Sequence, residues 1–178
     1  MDAQRKNRSQ AVIDVLNKAR SMELHAINQY MHQHYILDDM DYGSLAKSIK
    51  LIAIDEMRHA EMFAERIMDL DGVPTHELAE KVAKSQGVDV IYPFNTALED
   101  DTIEKYNRFM KICRDNNDSV SARIFERILD EEQEHDTYFD DVATHIKELG
   151  AHYLSRIAGT DGSTGGQDSF VKTKEGVD

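Results

Sequence analysis

Glu56 and His59 stand three residues apart in the run Ile52-Ala53-Ile54-Asp55-Glu56-Met57-Arg58-His59, and Glu132 and His135 repeat the spacing. In a helix, positions i and i+3 share a face, so each Glu-x-x-His presents one carboxylate and one ring nitrogen to a single point. That is a ligand geometry for a metal ion. One such pair can arise by chance in an acidic chain with eight His. Two further carboxylates make the pattern specific. Glu23 and Glu99 each lie 33 residues before the Glu of one motif (56−23 and 132−99), and an offset of 76 relates 23 to 99, 56 to 132, 59 to 135 and Tyr30 to Tyr106. The repeat predicts two helix pairs related by an approximate two-fold axis and closing on one site.

Four carboxylates and two imidazoles buried in mid-bundle are costly unless paired or bound to metal. Four carboxylates balance two divalent cations, and oxygen-rich ligation with one imidazole per ion suits iron or manganese better than thiolate-seeking metals. Glu56 and Glu132 are placed to bridge or chelate beside their own His, with Glu23 and Glu99 as terminal ligands. Asp55 and Glu131, again 76 apart, are placed to orient the ring N–H groups. Tyr30 and Tyr106 read as core tyrosines bonded to site carboxylates. Met57 follows Glu56 directly and is therefore turned about 100° from it, onto the outer face of the helix. His25, His32, His34, His76, His145 and His152 share no such pattern and read as surface or packing residues.

The elements that must position these residues follow from periodicity and breakers. Ser9 is expected to cap a first helix running toward Asp38, with Leu16, Glu23, Ile27, Tyr30, His34 and Leu37 on one face. After a turn at Asp38 to Gly43, Ser44 caps a second helix that carries Ile52, Glu56, His59, Phe63 and Ile67 and stops at Asp71-Gly72-Val73-Pro74. A crossover of about twenty residues follows, long enough to return along the bundle. Pro93 falls in the first turn of a third helix bearing Glu99, Tyr106 and Cys113. Asn116-Asn117-Asp118 turns into a fourth, from Ser119 to Leu149, and Gly150 ends it. His152 to Ile157 forms a short fifth segment. The expected architecture is an all-α four-helix bundle with a long crossover between helices two and three and a short fifth helix. Residues 1–158 form its single domain, and the Gly-, Ser- and Thr-rich residues 159–178 form a flexible tail.

At 178 residues the chain can bury one sizeable core. Its net charge of −13 argues against nucleic acid and favours attraction of cations. The single Cys113 excludes an internal disulfide and a Cys-x-x-Cys knuckle. No apolar run approaches the ~20 residues of a membrane span, and the polar N-terminus shows no secretory signal, so a cytoplasmic location is expected.

On these residues the chain resembles the bacterioferritins over nearly its whole length, to about Gly159. Glu23, Glu56, His59, Glu99, Glu132 and His135 match that family's ferroxidase ligands, and Tyr30 matches its site tyrosine. Ordinary ferritins carry one Glu-x-x-His, and rubrerythrins add paired cysteines that this chain lacks. The resemblance implies a ferritin-like shell of twenty-four subunits built from dimers. It implies ferroxidase activity on two irons per subunit, with dioxygen or hydrogen peroxide as oxidant, a stored ferric mineral, and a redox partner for iron release. Glu-Met-Arg-His at 56–59 also matches the family's haem motif, which implies Met57 from each of two subunits as axial ligands of one haem. The chain has Leu51 where some members carry a His that serves an inner-surface iron site. The same six ligands leave a second reading open, a non-storing di-iron oxidase or peroxide scavenger.

Overall fold

The computed structural model describes residues 3–171, with side chains from Gln10 onward. Helices α1 (Ala3–Asp39), α2 (Gly43–Asp69), α3 (Val88–Asp115) and α4 (Ser119–Leu149) are followed by a short α5 (Ala151–Ile157). α1 packs chiefly on α2 and α3 on α4, and contacts of α1 with α3 and of α2 with α4 join the two hairpins. This is the expected four-helix bundle with a long crossover and a short fifth helix.

Three helix starts differ from the sequence expectation, each for a physical reason. α1 begins at Ala3, so Ser9 lies inside the helix rather than at its cap. α2 begins at Gly43 behind Tyr42, whose side chain makes no capping bond. The backbone N–H of Ser44 is instead satisfied from far along the chain, by Thr160 Oγ1 at 2.8 Å. Pro93 is the sixth residue of α3. Ile91 and Tyr92 just before it are fully buried, and burying that extra turn outweighs the one hydrogen bond that proline cannot donate. The α3–α4 turn follows the sequence closely. Asp118 caps α4 by accepting from Ser121 N and Oγ, each at 2.9 Å, and Arg66 of α2 clamps both Asp118 oxygens at 3.0 and 2.9 Å.

The apolar interior falls into two clusters. One holds Leu37, Leu45, Ile52, Tyr92 and Phe139, and the other holds Leu16, Phe63, Ile67, Tyr106 and Phe125. On every long helix the change from one cluster to the other occurs at the predicted ligand positions: Glu23 on α1, Glu56 and His59 on α2, Glu99 on α3, Glu132 and His135 on α4. The polar layer thus lies between two dry halves.

Residues 70–87 form the crossover, which runs along α1. Asn17 accepts from Thr75 N at 2.7 Å, Ser21 donates to Glu77 O at 2.7 Å, and Gln29 both accepts from Ala83 N and donates to Ala83 O. Buried Gln33 and Asn95 exchange reciprocal amide bonds at 2.8 and 2.9 Å, tying α1 to α3. His25 and His34 are both buried, so they are packing rather than surface histidines, and His34 Nδ1 lies 2.9 Å from Ala46 O.

The segment after α5 differs from a flexible tail as far as residue 171. Gly159 N donates to Asp41 O at 2.9 Å, and Tyr42 pairs with Thr160 in a single bridge. The segment crosses α2 at Gly43, where an added Cβ would fall 1.9 Å from the Thr160 carbonyl oxygen, so only glycine admits so close an approach. It ends with Ser169 and Phe170 buried. Residues 172–178 lie outside the described residues.

Candidate metal centre

Each of the four long helices brings its predicted ligand to the polar layer because that residue lies on the stripe its neighbours bury. Glu23, Glu56, His59, Glu99, Glu132 and His135 are all at most 2% exposed. They form two overlapping groups, Glu23–Glu56–His59–Glu132 and Glu56–Glu99–Glu132–His135, in each of which the four candidate ligand atoms lie within 4.8 Å of one another. Glu56 and Glu132 belong to both groups, the arrangement expected of bridging carboxylates. Glu23 and Glu99 belong to one each.

The approximate two-fold symmetry survives in detail. His59 Nδ1 lies 2.9 Å from Glu56 Oε2 and 3.1 Å from Glu132 Oε1. His135 Nδ1 lies 3.1 Å from Glu56 Oε1 and 3.7 Å from Glu132 Oε2. The tyrosines cross the axis. Tyr30 donates to Glu99, and Tyr106 donates to Glu23 at 2.5 Å. Behind the imidazoles, His59 Nε2 is 3.1 Å from Glu131, and His135 Nε2 is 3.6 Å from Asp55 Oδ2. Both carboxylates singled out for backing the rings therefore face them.

A metal fits this donor set for a reason visible in the geometry. Glu56 Oε1, both Glu132 oxygens and His135 Nδ1 are buried without a well-aligned hydrogen bond, although charged neighbours stand close. Buried polar atoms are otherwise almost always satisfied. Here their lone pairs converge on a common interior that a cation would complete.

Without metal the cluster divides into groups that favour a proton and one carboxylate that does not. Burial raises the Glu23 and Glu99 carboxyls, and the charges of Glu132 and Glu56 push them further, so both lie well above the carboxylate range. Burial alone would lower the histidines, but Glu131, Glu132 and Glu56 around His59, and Glu56, Asp55 and Glu132 around His135, hold both well above the usual imidazole value. Burial would likewise raise Glu132, and the two imidazoles overcome it and hold that carboxyl low. Burial and the adjacent Glu99 and Glu23 charges keep the hydroxyls of Tyr30 and Tyr106 well above the normal tyrosine value. Both remain donors.

Met57 sits where its spacing predicts. It is 55% exposed whereas Glu56, one residue earlier, is 1% exposed, so the thioether faces away from the carboxylate layer. Contacts that sequence reasoning missed come from the C-terminal segment. Phe170 N donates to Asp55 Oδ2 at 2.7 Å, and its ring lies 6.0 Å from that of His135. The available signal was a single aromatic residue in an otherwise Gly-, Ser- and Thr-rich stretch.

Comparison with known proteins agrees with this geometry. Residues 13–149 match the ferritin-like domain. The bacterioferritin of Desulfovibrio desulfuricans is 59% identical over 93% of this chain and 92% of its own, and that of Streptomyces coelicolor is 35% identical over 82% and 88%. The D. desulfuricans crystal structure, which describes a di-iron site in different catalytic states, superposes with a TM-score of 0.90 over 92% of this chain and 95% of that one. The bacterioferritin of Mycobacterium tuberculosis, at 30% identity, gives 0.78 over 83% and 93%. With its doubled Glu-x-x-His layer set in the same bundle, this chain belongs to the bacterioferritins, within the ferritin-like family.

Proposed function

We propose that this protein is an iron-storing ferroxidase that takes up Fe(II) at the two overlapping ligand groups and oxidises it for deposition as ferric mineral inside a closed shell. The observation that carries the reading is the pair of four-residue groups sharing Glu56 and Glu132. Two Fe(II) ions offset the four carboxylates in charge, and each ion receives one imidazole. His59 and His135 ligate through Nδ1, the nitrogen facing the carboxylates, while Glu131 bonds the opposite ring nitrogen of His59 at 3.1 Å and Asp55 faces that of His135 as an ion-pair partner at 3.6 Å. Tyr30 and Tyr106 fix one oxygen of Glu99 and Glu23, leaving the other for metal. Each substrate Fe(II) gives up one electron, and dioxygen or hydrogen peroxide accepts them. Glu132→Ala removes an oxygen donor from both groups and should abolish rapid Fe(II) oxidation while anaerobic uptake drops below two ions per chain. An initial oxidation rate equal to that of the unaltered protein would overturn the assignment.

The proposal extends to a second iron site. Met57 would suit the role of a haem-iron ligand because it is exposed, uncharged and turned away from the proposed di-iron layer, with sulfur as its one donor atom. Met57 from two chains across a two-fold contact would hold one haem. Thioether ligation favours the reduced, higher-potential iron and so supplies a route for electrons in iron release. Among the described residues no helix is long and apolar enough to cross a membrane. Cys113 is free and buried, and burial pushes its thiol up to about 12.

A further inference from the structure

The two halves of the metal layer are backed by unlike structures. His59 is backed by Glu131, a side chain 25% exposed whose cationic neighbour Arg127 lies 3.9 Å away on the same helix. His135 is backed by Asp55, whose side chain is 1% exposed and is held on every side. Asp55 Oδ1 receives Arg58 at 2.9 Å. Asp55 Oδ2 receives the backbone N–H groups of Phe170 at 2.7 Å and Val171 at 3.3 Å, and Ser169 adds a side-chain hydrogen bond to the same carboxylate. Arg58 reaches onward to Asp168 Oδ2 at 3.2 Å, so the cation ties α2 to the C-terminal segment. The Phe170 ring packs at 4.9 Å from Tyr138 and meets His135 edge to face at 6.0 Å.

A segment of ordinary tail composition has no reason to bury a serine and a phenylalanine beside a metal ligand unless the contacts there are specific. Its course is also fixed at the far end, where Thr160 caps α2 and the backbone passes over Gly43. It is therefore stretched along the first half of α2 between two anchors. We propose that Asp168–Val171 is a positioning strap for one metal half. By holding Asp55 in place behind His135 and packing Phe170 against its ring, the strap fixes that imidazole, and it makes the His135 half distinct from the His59 half of an otherwise two-fold site. Ser169 and Phe170 are positioning residues that act through the Asp55 carboxylate and the His135 ring. In the six ligands the two halves are equivalent by sequence, and the strap is what breaks the equivalence.

This inference rests on the di-metal reading of the site, and one titration separates the two. Metal-free full-length protein is titrated with Co(II) without oxygen, following the ligand-field absorption of the bound ion. Two Co(II) per chain are expected. Phe170→Ala, Arg58→Ala and a chain ending at Gln167 should each weaken one of the two ions by roughly 10–100-fold, the usual effect of removing a group that orients a ligand, and leave the other unchanged. Their ligand-field band for the weakened ion should shift, since a ring free to turn alters the coordination geometry. Truncation should have a smaller effect in an Asp55→Ala background, because the strap then has no carboxylate to hold. Helical circular dichroism checks the fold, and if the shortened chain does not fold the two point variants decide. Unchanged affinity for both ions, or equal loss at both, overturns the strap. Failure of the full-length protein to bind two Co(II) overturns the di-metal reading, and the strap with it.

Discussion

The six proposed ligand residues carry opposite protonation demands that metal binding must resolve. In the metal-free layer Glu23 and Glu99 hold protons because burial and the neighbouring carboxylates raise them, and His59 and His135 hold protons because those carboxylates outweigh burial. Ligation needs carboxylates ionised and imidazoles neutral, so cation binding must displace these protons. Glu23, Glu99, His59 and His135 each give up a proton on ligation while Tyr30 and Tyr106 keep theirs, so affinity rises with pH. Anaerobic Fe(II) addition to metal-free protein in weak buffer should acidify the solution, and the apparent affinity should climb as pH rises. Uptake without proton release would contradict the protonation pattern. The tyrosines supply a second test at this scale. Because Tyr30 and Tyr106 make mirror-related bonds, Tyr30→Phe and Tyr106→Phe should slow initial Fe(II) oxidation by a similar factor, on the order of tenfold for loss of one charge-assisted bond. A loss confined to Tyr30→Phe, seen by stopped-flow absorbance, would instead mark that tyrosine as a redox participant.

At the scale of the helices, the Asp118–Arg66 junction shows how one turn fixes the relation of two hairpins. Burial would raise the Asp118 carboxyl, but the Ser121 amide, the Ser121 hydroxyl and Arg66 overcome it and hold the group below its ordinary value. A depressed folded-state pKa contributes stability above the unfolded value of about 3.9, and that contribution is lost as pH falls through the folded value. Asp118→Ala should therefore destabilise the metal-free protein at pH 7 by about 1–2 kcal/mol. The gap to the unaltered chain, measured by thermal unfolding at fixed concentration, should close below about pH 4. A pH-independent gap would point to lost packing instead.

Elements of this kind also show what could be read in advance. The helices, their turns and the ligand layer were legible because burial imposes a period, and a charged residue inside a buried stripe stands out. The outer face of α1 was not legible. Asn17, Ser21 and Gln29 look like a solvated surface until the crossover is seen to bond them. The strap was hidden for a related reason: its anchoring is largely backbone N–H to carboxylate, and backbone donors leave no trace in composition. Pro93 misled because the proline rule concerns one hydrogen bond, whereas the start of α3 is settled by burial of Ile91 and Tyr92.

At the scale of the whole molecule, the question is what covers the outside of the α1–α2 hairpin. Met57 is 55% exposed and Tyr35 63% exposed in the single chain, and we propose that a second copy of the chain covers them. A two-fold contact through this face would bring Met57 of each chain to the same axis, since an isologous interface presents one patch twice. We propose one haem per two chains from that symmetry, and a closed shell of twenty-four such chains, the number that the likeness to the bacterioferritins implies. Met57→Leu keeps the bulk and apolarity of the side chain and removes only the sulfur. The variant should elute with unchanged shell mass and oxidise Fe(II) at the original rate, because Glu56 and its partners are untouched, while the absorption bands of a six-coordinate haem disappear. Retention of a low-spin haem spectrum in Met57→Leu would show that the methionine is packing alone. A monomeric or dimeric mass for the unaltered protein at micromolar concentration would instead remove the storage compartment and leave a discrete di-iron oxidase.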